Sequence, residues 1–162
     1  MQIRYSLFAV FLGVVITGLA GQTLTSNGLA QTNSDAPSPL ESEARNYIGS
    51  LNRSQQAYQI ENSTFSPDIQ SLGIGVPTED QNYLYRVYTL DDPGIAVMNA
   101  AIPKEPELRS YVGLVWVVDS RGLTAALLCR SDASTIEEPN NPGMTNSVDG
   151  LELTCPEGYS PN

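Results

Sequence analysis

Two cysteines, Cys129 and Cys155, are the side chains with the clearest chemistry in this 162-residue chain. Two cysteines in an exported protein normally pair. They stand too far apart for a CxxC motif, which disfavours a redox role. We therefore predict a structural disulfide between them that ties a C-terminal loop to the rest of the fold. By the loop-entropy argument such a bridge contributes about 3 kcal/mol.

Catalytic constellations are scarce, because the sequence contains no histidine. That removes the usual nucleophile–base pairs and the common zinc sites. The remaining candidates for acid–base work are the pairs Glu79-Asp80, Asp91-Asp92 and Glu137-Glu138. Each pair stands beside turn residues, and nothing places two carboxylates across a groove as glycoside hydrolysis requires. We interpret them as solvated loop charge and predict no enzyme activity and no cofactor.

A late, polar stretch could hold a hard cation such as calcium through oxygen ligands. Its candidate ligands are Asp132, Glu137, Glu138, Asn140, Asn141 and Asp149. An acidic solvated loop explains the same residues and is the favoured interpretation. Calcium binding is kept as an alternative. Small-ligand binding is kept with it, because a ligand surface could be lined by Tyr83, Tyr85, Tyr88, Tyr111 and Trp116, although an ordinary sheet core accounts for most of these residues.

The charge balance limits the possible partners. The chain holds 18 acidic and 8 basic residues, and Arg4 is the only charged residue before residue 31, so the remainder carries −11. Such a surface repels phosphate backbones and anionic lipid headgroups. We therefore predict protein partners, no nucleic acid, and no membrane contact beyond a possible N-terminal anchor.

The first thirty residues are typical of a targeting segment. A short region with Arg4 precedes an apolar run, Leu7 to Leu19, and small-residue cleavage patterns end at Ala20 and Ala30. An uncleaved membrane anchor is the alternative, because the apolar run extended to Leu24 just reaches a bilayer-spanning length. We predict a signal peptide or anchor over 1–30, a polar linker over 31–38 and one globular domain over 39–162.

A helix is predicted from Pro39 to about Asn62. Ser38 before it and Glu41 within it form a capping box, and proline is tolerated at the first helical position. The inward stripe is Ala44, Ile48, Leu51, Gln55 and Tyr58, and the polar face is Arg45, Asn52, Arg53, Gln56 and Gln59. A short second helix should follow Ser66 and stop at Gly73.

Further along, the hydrophobic period changes from 3.6 to 2, which indicates strands. Four strands are predicted, over 83–88, 95–102, 111–118 and 123–129, with turns at 91–94 and 119–122. Residues 131–150 show little periodicity, and 151–155 should add a short edge strand. One helix followed by an antiparallel meander gives an α+β fold, in which the helix covers one sheet face.

Several of these segments together resemble the bacterial type IV pilin-like proteins of the G and H group. The similarity covers about residues 40 to 158 and is most specific in the helix, from Ala44 to Tyr58. Further matching parts are Glu61-Asn62, Phe65, Ile69 to Gly75, Asn82 to Tyr85, Tyr111 to Val118, and Cys129 with Cys155-Pro156. The resemblance implies one long N-terminal helix packed on a four-stranded antiparallel sheet, with a disulfide-bounded C-terminal loop.

The resemblance also implies a function without catalysis. Proteins of this group are expected to serve type IV pilus or general secretion pathway assembly, or surface recognition, through contacts with pilus or secretion-system subunits. We predict an extracytoplasmic protein, periplasmic, secreted or held by its anchor. The alternative is a soluble extracytoplasmic binding module for a small ligand or calcium.

One departure from filament-forming pilins concerns the N-terminal region. Those pilins have a leader that ends in glycine, then an unbroken apolar helix with glutamate at its fifth position. Here the apolar run is separated from the Ser38 helix by a linker that contains Pro37. We therefore expect no filament built from this subunit alone, and docking through the sheet edge or the disulfide loop.

Overall fold

The computed structural model describes residues 36–75, 77–90, 94–148 and 150–162. The predicted targeting segment, most of the linker, residues 91–93 of the predicted turn and Asp149 lie outside the described residues. The division of the chain at residues 30 and 38 therefore stays a prediction.

The helix α1 spans Pro39–Asn62, 24 residues, with the predicted boundaries. The Ser38 hydroxyl accepts the Glu41 N–H at 3.2 Å, and Glu41 Oε2 accepts the Ser38 N–H at 2.7 Å, so the capping box is confirmed. Ser63, in the left-handed region with φ 57°, ends the helix by donating its N–H to the Gln59 carbonyl. At this length the helix is of moderate extent rather than clearly long.

Seven strands follow α1 within the described residues. They are β1 Tyr83–Leu90, β2 Ala96–Pro103, β3 Tyr111–Val117, β4 Thr124–Ser131, β5 Gly143–Ser147, β6 Gly150–Thr154 and β7 Tyr159–Pro161. The main sheet has the order β1-β2-β3-β4-β7 and is antiparallel throughout, while β5 and β6 form a separate hairpin. The α+β class is confirmed.

Three details of the predicted sheet were wrong. The sheet has five strands rather than four, because the three-residue β7 pairs with the end of β4 and is too short to show alternation. Leu151 to Thr154 form a strand, but they pair with β5 instead of the main sheet's edge. The loop 131–150, expected to be irregular, contains β5. The short second helix is a single 3₁₀ turn, Gln70–Leu72, which ends at Gly73 as predicted.

Both faces of the main sheet are covered. On one face, Ala44, Ile48 and Leu51 of α1 pack on a cluster that includes Tyr83, Tyr85 and Tyr111. On the other face, Leu151 and Leu153 of the β5–β6 hairpin pack with Met98, Leu114 and Trp116. The sheet is thus the middle layer between α1 and a C-terminal hairpin, and β2 is buried along its whole length.

Polar side chains also cross the helix–sheet interface. Asn52, predicted on the polar face of α1, is buried and accepts a hydrogen bond from Asn99 Nδ2 at 2.9 Å. The prediction failed because Asn52 lies over Gly113, where an added Cβ would come within 2.6 Å of Ile48 Cγ2 and would overlap the Asn52 side chain. Gln55 is fully buried, and its amide pairs with both the N–H and the carbonyl of Ser66, at 2.9 and 3.0 Å.

Candidate interaction surface

The two cysteines are joined in the structure, with an S–S distance of 2.08 Å and a Cα–Cα distance of 5.8 Å. Cys129 is fully buried in the main sheet, and Cys155 directly follows β6. On the same face, the Trp116 indole N–H donates to the Leu151 carbonyl at 2.8 Å. The disulfide and this hydrogen bond therefore fasten the β5–β6 hairpin to the sheet.

The candidate calcium ligands do not converge. Asp132 Oδ1 accepts the Ser160 hydroxyl at 2.7 Å, and Asn141 lines a cleft beside Met144. Glu137, Glu138 and Asn140 line a different cleft of about 170 Å³, and Asp149 is not described. Among the described residues, no three Asp, Glu, His or Cys side chains form a group able to hold a metal ion.

One acidic pair has a structural role that its sequence context did not indicate. Asp80 Oδ1 accepts the N–H groups of Asn82 and Tyr83, both at 2.7 Å, and Oδ2 accepts the Tyr85 hydroxyl at 2.8 Å. Burial alone would raise the pKa of Asp80, but these hydrogen bonds outweigh it and hold the pKa below its ordinary 3.8. Our interpretation of Asp80 as solvated loop charge was therefore wrong. Its neighbour Glu79 is exposed and pairs with Lys104 at 3.0 Å.

Tyrosines connect this carboxylate to the surface of α1. The rings of Tyr47 and Tyr85 lie 4.3 Å apart between centroids, and the Tyr47 hydroxyl donates to the Pro77 carbonyl at 3.3 Å. Burial, with smaller effects of Asp80 and Glu43, raises the pKa of Tyr47 to about 12. Burial and the Asp80 contact raise the pKa of Tyr85 further. These tyrosines are therefore neutral hydrogen-bonding groups at physiological pH.

The outer face of α1 carries two grooves that share Asn46 and Ser50, which we call the helix ridge. The tyrosine groove lies on one flank, has a volume of about 510 Å³ and is lined by Pro39, Ser42, Glu43 and Tyr47 in addition to the ridge. The arginine groove lies on the other flank, has a volume of about 300 Å³ and is lined by Arg45, Gly49, Arg53 and Leu128 in addition to the ridge. The ridge therefore separates an acidic and aromatic groove from a cationic one.

Sequence reasoning noted Arg45 and Arg53 only as members of a polar helix face and gave Gly49 no role. A spacing of eight residues, with glycine midway, was the available signal. The contribution of Leu128 from β4 depends on how α1 lies on the sheet, and no local pattern contains that information. The structure thus adds a shaped, charged surface to a helix that looked merely solvated.

No described helix combines the length and hydropathy needed to cross a membrane. The model of the family described as type IV pilin-like G and H matches residues 41–156, more than two thirds of the chain. This match runs from the first turn of α1 to the residue after Cys155, so it includes the helix, six of the seven strands and both cysteines. Comparison with curated proteins and with solved structures gave no match. The chain therefore belongs to the type IV pilin-like G and H family.

Proposed function

We propose that this protein is a non-catalytic, extracytoplasmic pilin-like protein whose folded domain binds protein subunits of a type IV pilus or general secretion system. Family membership supports the general role. The observation that carries the proposal is the outer face of α1, where two grooves of opposite character flank the helix ridge. Such a shaped and mixed-charge surface suits protein recognition better than catalysis.

The domain organisation belongs to the same proposal. Residues 1–30 act as a signal peptide or anchor, 31–38 as a linker, and 39–162 as the domain that meets its partner in the periplasm or at the cell surface. The capping box at Ser38, where α1 begins, supports a domain boundary at this point.

Site-specific photo-crosslinking in the producing cells tests this function. A photoreactive amino acid replaces Asn46, an exposed residue on the helix ridge, and the crosslinked products are identified by mass spectrometry. Thr145 is the comparison position, because it is exposed on β5 in the disulfide-bounded loop, the other docking route that the sequence predicts, on the opposite side of the sheet. We expect crosslinks from position 46 to a pilus or secretion-system subunit and few from position 145.

The outcomes separate clearly. A subunit of either machine captured from position 46 alone supports the proposed role. Equal capture from both positions, or products from position 46 that contain no such subunit, would contradict it.

A further inference from the structure

The positive charge of this acidic protein is concentrated around one side of α1. The described residues include seven basic side chains, and Arg45, Arg53, Arg109 and Arg130 are four of them. Arg45 and Arg53 line the arginine groove, and Arg130 follows the groove residue Leu128 by two positions in β4. A cationic groove on a chain of net charge −10 is a feature that average composition does not explain.

The electrostatics of Tyr111 locate this charge independently. Burial and Glu41 raise the pKa of Tyr111, whereas Arg130, Arg45 and Arg109 each act to lower it. Three guanidinium groups are therefore near a single phenol hydroxyl under α1. Basic side chains from α1, β4 and the residues before β3 thus come together on this side of the helix, beside the single carboxylate of Glu41.

The two groove arginines are available to a ligand. Arg53 donates from Nη2 to the Ser50 hydroxyl at 3.1 Å, which holds the guanidinium along the helix ridge. A guanidinium has five N–H donors, so most of them stay free for an acceptor. Arg45 is exposed on the same helix, two turns away.

Gly49 lies midway between the arginines and forms part of the groove. Glycine inside a helix is destabilising relative to alanine, because it loses more backbone freedom on folding. Packing does not require glycine here, because an added Cβ would meet only Arg53 Nη1, at an ordinary 3.6 Å. The missing side chain instead leaves room for the Arg53 guanidinium to lie over Gly49 on the groove floor.

We propose that the arginine groove binds an extended, acidic segment of the protein partner, with one carboxylate at Arg45 and a second at Arg53. Eight helical residues separate the two Cα atoms by about 12 Å. Four residues of extended chain cover about 13 Å, and residues two apart share a face. The matching segment therefore has acidic residues four positions apart, with a small or apolar residue between them facing Leu128.

Charge also distinguishes this occupant from an anionic bilayer. A flat anionic membrane would contact the acidic residues around the groove as well as Arg45 and Arg53. The repulsion between its headgroups and those acidic residues would oppose docking. A single extended segment meets only the groove. This inference rests on the proposed function, since it specifies the chemistry of the partner at the same face of α1.

The test uses the protein as its cells export it and a fluorescent peptide of nine residues. The peptide has glutamates at positions three and seven, leucine at position five, and serine or glycine elsewhere. Its control replaces both glutamates by glutamine. Fluorescence anisotropy should show saturable binding of the acidic peptide, an affinity at least about tenfold lower for the control, and weakening of the binding with added salt.

Matched variants assign the binding to the groove. Arg45→Gln and Arg53→Gln should each lower the affinity for the acidic peptide about tenfold. Gly49→Leu should block peptide binding without a change of charge. Arg121→Gln is the control, because it removes the same charge at a site away from the groove. Arg121 lies in the β3–β4 turn, and its side chain is 84% exposed. The affinity of Arg121→Gln should stay within about twofold of the wild type.

The inference would be overturned by no saturable binding, by an equal loss in Arg121→Gln, or by binding to phosphatidylglycerol vesicles in place of the peptide. Photo-crosslinking from position 46 in the Arg45→Gln/Arg53→Gln background separates the two proposals. If the double variant still captures the pilus or secretion subunit at wild-type yield, the acidic-segment inference is wrong while the proposed function stands. If capture falls together with peptide binding, both are supported.

Discussion

Asn99 Nδ2 donates a 2.9 Å hydrogen bond to Asn52 Oδ1, which joins the middle of the main sheet to α1. Both side chains are buried, and Asn52 Nδ2 in turn donates to the Leu127 carbonyl at 3.4 Å. The interface therefore contains a directional contact among apolar ones. Such a contact fixes the position of α1 more narrowly than apolar packing alone, since a shifted helix would leave buried amides unpaired.

Removal of the Asn52 amide should destabilise the domain. Asn52→Ala leaves the Asn99 donor buried without its acceptor, so we expect the free energy of unfolding to fall by about 1–3 kcal/mol. Urea denaturation followed by the fluorescence of the single tryptophan measures this change. A double-mutant cycle with Asn99→Ala should give a coupling energy of about 0.5–3 kcal/mol. Strictly additive single effects would show that the hydrogen bond contributes nothing.

Two glycine-to-alanine substitutions should have opposite effects. In Gly113→Ala the new methyl group would sit 2.6 Å from Ile48 Cγ2 and against Asn52, so overpacking should cost about 1–3 kcal/mol. In Gly49→Ala the nearest atom is 3.6 Å away, and the better helix propensity should add about 0.5–1 kcal/mol. Thermal and urea unfolding of both variants provide the comparison. A tolerated Gly113→Ala would mean that α1 does not approach β3 as closely as described.

Asp80 should govern part of the acid sensitivity. Its pKa is held below 3.8 in the folded state, so its stabilising contribution is complete above the ordinary carboxyl pKa and is lost as the pH falls through the lowered value. Asp80→Asn should lower the free energy of unfolding at neutral pH by about 1–3 kcal/mol. It should also make the free energy of unfolding depend less on pH below about pH 4. Urea midpoints from pH 2 to 7 test this. Glu105→Gln, an exposed substitution with the same charge change, should leave the acid dependence intact; an equal flattening in that variant would contradict a specific role of Asp80.

Loss of the disulfide should loosen the hairpin layer before the helix layer. Cys129→Ala/Cys155→Ser leaves no lone thiol and should lower the free energy of unfolding by about 2–5 kcal/mol. Because Trp116 bonds to Leu151 on that face, its emission should shift to the red, and amide exchange should rise in 143–154 more than in α1. Uniform exchange throughout the domain would argue against local release. Two alkylatable thiols in the oxidised wild type would rule out the bridge itself.

Local patterns predicted much of the fold. The strands β1 to β4 lie within two residues of the predicted bounds at each end, because alternation in β1 and a continuous apolar run in β3 are visible in neighbouring residues. The strand β7 and the pairing of β6 with β5 were missed, since three residues cannot show a period and partner choice depends on distant chain. The number of strands in the sheet was wrong for this reason.

The candidate surface was less predictable than the fold. Arg45 and Arg53 were recognisable as exposed helix residues, but a groove needs a second wall, and Leu128 supplies it from β4. Asp80 was misread because its partners include Tyr85, whose hydroxyl returns to it only after β1 has formed. A hydrogen bond that forms only in the folded strand cannot be predicted from composition or residue spacing.

The sequence by itself determined where α1 begins and ends, since Ser38, Glu41 and the polar break at Ser63 satisfy the helix ends with nearby groups. It also determined the acidic charge, the two cysteines and the likeness to the family. Only the tertiary structure decided that Asn52 is buried, that the β5–β6 hairpin covers the second sheet face, and that two arginines share a groove with Leu128. Capping and periodicity depend on residues within one turn of each other, whereas burial and groove shape depend on which distant segments pack together.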